Sequence, residues 1–333
     1  MNFDLKIEKL SEIFHHEARA RQAKVRKDGT RFVHYTDSNA MISILDKKAI
    51  WMRDANCMND YSELQHGFEC IAYAYNGERG EGFRTVIDSI YPDLSLEIER
   101  MFNLWQPHLK QDTYIFCLSE HGIKESTKIQ NVQDLPDPED RLGRLSMWRA
   151  YGKGNGVALV LNNKVFIEPT DAIPIYTSPV EYLEKEEFSD KFHAFSERIQ
   201  LNIDFIRNVP RDEFLNWLLW KFIFAAVCTK HPGFWEEREW RIVYCPSLQS
   251  SDRIVKEIKA LGGVPQCIHK VELQDYPDEG FTGVEPNKLI DRIIVGPTEY
   301  PTAARRAFEE ALRKAGVEDA AKRIKISEIP VRI

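Results

Sequence analysis

At 333 residues, with 43% hydrophobic and 29% charged residues, the chain has the length of one large or two ordinary domains and ample material for a core. Its net charge of −7 weighs against a generic electrostatic grip on nucleic acid and leaves room only for local basic patches. The first 22 residues carry acids early and no apolar core, so no signal peptide is expected. The most hydrophobic run, Leu215 to Cys228, is interrupted by Asn216 and Lys221. It is shorter than the ~18 residues of a membrane span, which makes it a buried helix.

The cysteines, Cys57, Cys70, Cys117, Cys228, Cys245 and Cys267, are scattered, form no CxxC and mostly sit in apolar runs. Reduced, buried thiols and a cytoplasmic location with no membrane partner are expected. Cys57, His66 and Cys70 fit no common zinc spacing, so no metal site is assigned.

In chain order, residues 3–20 have helical apolar spacing and read as an opening helix. Phe32 to Thr36 reads as a strand, and Asp37 or Ser38 caps a helix through Met41, Ile42, Ile44 and Leu45. Ala49 to Arg53 is the next strand. Asp60-Tyr61-Ser62-Glu63 has capping-box spacing, and Leu64, Phe68, Ile71, Ala72 and Tyr75 continue that helix. A further helix runs from about Leu94 to Leu109, followed by a strand over Tyr114 to Leu118. Residues 120–143, polar and proline-bearing, read as a solvated loop or a lid over a site.

Met147 to Tyr151 forms a short helix, and the glycines of Gly152-Lys153-Gly154-Asn155-Gly156 make the turn into a strand over Val157 to Leu161. Phosphate cradling is the alternative, but the fingerprint needs the opposite order of strand and helix. Residues 173–184 read as strands, 185–207 and 211–230 as helices, and Glu237 to Tyr244 as a carboxylate-rich strand. Ile290 to Val295, a helix over Thr302 to Ala315 closed by Gly316, and Ile324 to Ile333 complete a mixed α+β chain. Its expected divisions are an N-terminal helix (1–30), a core domain (31–287) and a C-terminal strand-helix-strand extension (288–333) packed on the core.

The sharpest chemistry lies in Glu237 to Arg241. On a strand, Glu237, Glu239 and Arg241 share one face, which makes a charge-assisted cluster. It is either an ion-paired ladder on a surface edge strand or a carboxylate aimed into a site and oriented by the arginine. Trp235, Trp240 and Ile242-Val243-Tyr244 weigh against a fully solvated ladder. His34, Ser119, Trp148 and Tyr151 are each ordinary structural residues taken alone, and suggestive taken together. No Ser-His-Asp arrangement stands out, and Cys117 lacks an activating partner.

Phe32-Val33-His34-Tyr35-Thr36, Ile50-Trp51, Met58-Asn59-Asp60, Phe116 to Glu120, Met147 to Tyr151 with Gly156-Val157, Trp235 to Val243, and Ile294 to Pro297 form one ordered pattern. Over about residues 30–300 it resembles the bacterial domain of unknown function 2971 family, with Tyr61 standing where that family usually has proline. The His-Tyr-Thr strand, the Ser-ended strand and the late Glu-x-Glu strand are also similar to the three-strand signature of ADP-ribosyltransferases. That similarity implies a split β-sheet core flanked by helices, with the C-terminal piece a βαβ-like extension, and NAD as substrate.

On this resemblance His34 would hold a ribose hydroxyl, Tyr35 would meet the carboxamide through its backbone, and Thr36, Arg53 and Arg241 would help bind the dinucleotide. Ser119 would line the ribose, Trp148 or Tyr151 would stack on a ring, and Glu239 would be catalytic with Glu237 in support. The implied activity is cleavage of the nicotinamide–ribose bond, with ADP-ribose passed to a protein or nucleic-acid acceptor or to water, as suits a toxin or an antiviral defence effector. Two alternatives remain. One is a non-catalytic nucleotide- or partner-binding sensor. The other is a metal-dependent nuclease using Asp54, Asp60, Glu237 and Glu239.

Overall fold

A computed structural model describes residues 3–58, 64–122, 138–152, 154–168, 170–261 and 263–330. Its strands are β1 (Arg31–Asp37), β2 (Ala49–Asp54), β3 (Tyr114–His121), β4 (Gly156–Leu161), β5 (Tyr176–Pro179), β6 (Glu181–Tyr182), β7 (Thr229–Lys230), β8 (Glu239–Tyr244), β9 (Ile254–Leu261), β10 (Val264–Glu272), β11 (Ile290–Val295) and β12 (Ile324–Ile326). The longer helices are α1 (Phe3–Phe14), α2 (His16–Asp28), α3 (Ser38–Lys47), α4 (Gln65–Asn76), α5 (Glu78–Asp88), α6 (Leu94–Gln111), α7 (Lys185–Leu201), α8 (Arg211–Val227) and α9 (Pro301–Ala315). The class is mixed α+β, as the spacing of the apolar residues predicts.

Local chemistry sets several of these boundaries. Asp37 caps α3, its Oδ1 accepting from the Ala40 N–H at 2.9 Å. Helix α8 is apolar nearly all round, and the protein buries it: Phe214, Leu218, Leu219, Phe222, Ile223, Ala226 and Val227 are all enclosed. Gly67 lets α4 lie against α8, because a Cβ there would stand 2.1 Å from the Ala226 carbonyl oxygen. Among the described residues no helix is long and apolar enough to cross a membrane.

The main sheet runs β12-β11-β4-β1-β3-β2-β10-β9 and is antiparallel apart from the β11–β12 pair, with β8 and β5 branching from β3. The branch creates a fork. β8 takes one edge of β3 from Tyr114 to Ser119. β1 and β2 must therefore share the other edge, where β1 pairs at Ser119–His121 and β2 only at Tyr114–Ile115. Between these contacts, at Phe116 to Leu118, the two parts of the sheet separate. One sheet face is covered by a core that includes Leu10, Phe68, Phe83, Phe195 and α8 side chains. The other carries Phe32, Met52, Phe116, Trp240, Ile242 and the apolar side of α9.

Several expectations need correcting. The opening helix is two helices, and the second continues to Asp28. The polar stretch begins later and ends sooner than expected, since β3 reaches His121 and Pro138–Leu142 is helical. The lid reading otherwise falls on residues 123–137, outside the described residues, as do Asn59, the Asp60–Glu63 capping box and Lys153. The carboxylate strand starts at Glu239, because Pro232–Glu237 is a 3-10 turn. The last strand ends at Ile326. Ala72 faces solvent, and α4 buries Cys70 and Ala74 instead. The 288–333 piece adds β11 and β12 to the main sheet next to β4 and sets α9 on α3.

Candidate functional site

Directly opposed residues of an antiparallel pair share a sheet face. β3 sets Ser119 against Glu239 and Cys117 against Arg241, so these four side chains look toward the helical layer of α4, α7 and α8. β8 is interior, paired on both sides by β3 and β5, and all six of its residues are buried. An ion-paired ladder on a surface edge strand is therefore excluded.

Glu239, 3% exposed, lies between two cations. Arg241 Nε donates to Oε1 at 2.9 Å, and Lys230 Nζ donates to Oε2 at 3.3 Å. Burial by itself would raise the Glu239 pKa, but Arg241 and then Lys230 outweigh it and bring it down to about 2, with help from the Cys117 thiol. Arg241 also donates to the Val227 carbonyl at the end of α8, where free carbonyls favour a cation. Lys230 Nζ donates at 2.8 Å to Glu237, whose other oxygen accepts from the Tyr151 hydroxyl at 2.9 Å. Burial and then the Glu237 carboxylate push the Tyr151 pKa far up, so the phenol remains a donor. The Tyr182 hydroxyl accepts from the Glu239 backbone N–H at 2.7 Å.

A backbone reversal makes this possible. Arg238 is left-handed, with φ of 47°, uncommon for a residue with a Cβ. It turns the chain between the 3-10 segment and β8, which brings both carboxylates onto Lys230 although only Glu239 is in the strand. Two acids, Glu237 and Glu239, meet two bases, Lys230 and Arg241, so the buried charge is locally balanced. The cluster opens at one end: the Glu237 side chain is 15% exposed against 3% for Lys230.

A hollow of about 430 Å³ is lined by the chain neighbours of Glu237, namely Trp235, Glu236 and Arg238, together with Arg144 and Arg149, while Glu237 and Tyr151 are not part of its lining. Trp235 is 61% exposed. Arg144 is fixed by the Glu236 carbonyl at 2.6 Å and the Glu120 carbonyl at 2.9 Å, and Arg238 by Glu139 at 2.9 Å.

The other expected residues divide by position. His34 and Thr36 belong to the opposite sheet face from Glu239. The His34 imidazole sits at the fork, its Nδ1 2.8 Å from the Cys117 carbonyl and its ring stacked on Phe116 at 4.2 Å. A carbonyl can only accept, so Nδ1 carries the proton and Nε2 is left as an acceptor. Burial lowers the His34 pKa to about 4, the Cys117 carbonyl opposing and Arg53 assisting.

Tyr35 is buried, its hydroxyl accepting from the Arg144 N–H at 3.0 Å. Arg53 donates to Gln266 and to the Cys57 carbonyl. Trp148, 1% exposed, is packed edge-to-face with Tyr35 and donates to the Leu142 carbonyl. It is sealed in the core and presents no face for stacking. Ser119 and Arg241 are buried in the cluster's layer.

Lys230, Tyr182 and Arg144 went unnoticed in the sequence. Lys230 has a signal, a cation directly after the apolar run that ends at Cys228 and nine residues before Glu239. Among the described residues no group of three or more His, Cys, Asp or Glu side chains is arranged to hold a metal. His66 is instead occupied with the Leu183 carbonyl at 2.9 Å.

Residues 147–242 match the family model described as protein of unknown function (DUF2971), a shorter span than the sequence resemblance suggests. No curated protein matches the chain, and no solved structure does. The matched segment includes Tyr151, Tyr182, Lys230, Glu237, Glu239 and Arg241, which is the carboxylate cluster apart from its β3 contribution.

Proposed function

With the DUF2971 segment carrying the carboxylate cluster, we propose that the protein is an NAD-consuming enzyme that cleaves the nicotinamide–ribose bond. The observation that carries this reading is a juxtaposition. Partly exposed Glu237, paired with Tyr151, is followed in the chain by Arg238 and preceded by Trp235 and Glu236. These neighbours line a hollow with Arg144 and Arg149, where Arg149 and the indole of Trp235 face outward. Guanidinium groups suit a pyrophosphate, and an indole suits a stacked base. The reading is also supported by the adjacency of β1, β3 and β8, in which Val33, Ser119 and Glu239 form one row. On this reading the fork at β3 would correspond to the split sheet that the ADP-ribosyltransferase resemblance implies.

In the reaction the C1′–N bond breaks and its electron pair moves to the pyridinium nitrogen, releasing neutral nicotinamide. Water or an acceptor nucleophile then bonds to C1′ and gives up its proton. Positive charge accumulates on the ribose as the bond breaks, as in glycoside cleavage. A carboxylate at the adjacent hydroxyl stabilises that charge most in the transition state. Burial divides the work differently from the resemblance: Glu237 is the carboxylate that can reach the sugar, and Glu239 holds Lys230 and thereby positions Glu237. In the Glu237→Gln variant, nicotinamide release measured by chromatography should fall by about two to three orders of magnitude, as for loss of one transition-state charge contact, with the circular dichroism of the folded chain retained.

The burial of Glu239 between two cations favours a second reading, a non-catalytic nucleotide- or partner-binding sensor in which the cluster is structural. Nucleotide-induced thermal stabilisation without nicotinamide release would select it.

A further inference from the structure

A large cavity wraps the outer edge of β5, lined by the sheet face opposite the carboxylates and by α8 residues of the helical layer. Its volume is about 1000 Å³, the upper end of what small-molecule sites occupy. Its floor is the apolar sheet face, with Ile50, Leu161, Ile242 and Val271, all buried side chains. Trp217, Trp220 and Phe224 of α8 and Tyr176 of β5 form an aromatic wall. The space is a cleft open to solvent rather than a sealed void, so a ligand can reach the apolar floor.

One wall is different. His15, Arg19, Gln22 and Arg26 line the cavity at spacings of four, three and four residues, which places them in a stripe along one face of α2. All four can donate hydrogen bonds. The imidazole of His15 lies 5.7 Å from both the Trp217 and the Phe224 rings and also borders a second cavity of about 310 Å³. Burial first, then Lys221, lowers its pKa to about 3, so it is a neutral donor. The lining also has three carboxylates, Glu168, Asp171 and Glu213, of which Glu213 is paired with Lys6 and Glu168 with Lys164 at 3.9 Å. Arg19 is paired with Glu8 at 3.6 Å, which leaves Arg26 as the cation of the stripe farthest along α2.

We propose that this cavity is a binding site for a single-headed amphipathic anion: a long apolar body lies on the aromatic and aliphatic walls, and a carboxylate or equivalent oxyanion meets the donor stripe of α2 near Arg26. The site is distinct from the carboxylate cluster and does not depend on the NAD reading.

Calorimetric titration of the full chain with dodecanoate, below its micellar concentration, tests the proposal. The expected result is 1:1 binding with a rise in the melting temperature. Ala18→Phe, which narrows the cavity, and Arg26→Glu, an exposed substitution that leaves the core intact, should each weaken binding tenfold or more. Dodecanol, with the same chain and no charge, should bind less tightly than dodecanoate. Absence of saturable binding, or binding unchanged in Arg26→Glu and equal for the alcohol, would overturn the proposal. The circular dichroism and melting temperature of each variant establish that it is folded before titration.

Discussion

Lys230 holds the centre of the molecule, since both carboxylates depend on its single ammonium group. Replacing it with Met removes the cation and strands a buried carboxylate, which typically costs 3–5 kcal/mol. Urea unfolding of Lys230→Met should show a loss of that size, and a loss below 1 kcal/mol would mean that Arg241 alone suffices. Acid should destabilise the protein in two stages. His34 has its pKa lowered to about 4 in the fold from an ordinary 6.5, so between those values the unfolded chain binds more protons and stability falls as the pH falls. Glu239, lowered to about 2 from 4.5, contributes stability that is intact above pH 4.5 and is lost toward pH 2. The midpoint for urea unfolding should therefore decline from pH 7 to pH 4, with His15, lowered to about 3, contributing in the same sense, and His34→Phe should make that decline shallower. Unchanged pH dependence in the variant would contradict the buried neutral imidazole.

At the scale of elements, what the sequence discloses depends on how local each cause is. The pairing of Glu239 with Arg241 follows from the two-residue period of a strand, and Asp37 caps α3 because a cap involves only its own next turn. Glu237 could not be placed correctly, because the left-handed Arg238 that separates it from β8 leaves no mark in alternation. Trp148 reads equally well as core or platform until Gly143, Gly156 and Gly296 are seen to pack against its ring. Contact between α4 and α8 likewise rests on Gly67. Gly67→Ala should destabilise by about 1–3 kcal/mol, the usual range for overpacking, because the opposing atoms are backbone and cannot swing aside. Thermal melts of Gly67→Ala and of a neighbouring exposed control, Gln65→Ala, provide the comparison.

For the whole molecule, the α+β class was legible from alternating apolar periods, whereas the fork at β3 was not. It arises from the pairing of strands separated by more than 80 residues in sequence, Val33 with Ser119 and Ser119 with Glu239, and no local pattern encodes such register. The same fork leaves His34 on one sheet face and Glu239 on the other. The charged cluster thus lies on the helical face of the sheet, and the large cavity takes its lining from both layers. Nicotinamide release from NAD by the purified protein, with and without cell lysate, compared among the unaltered chain, Glu237→Gln and Glu239→Gln, bears most directly on the proposed activity. The account predicts release by the unaltered chain, near-complete loss in Glu237→Gln and a marked reduction in Glu239→Gln. Equal release by all three proteins, or no release under either condition while NAD still raises the melting temperature, would contradict it.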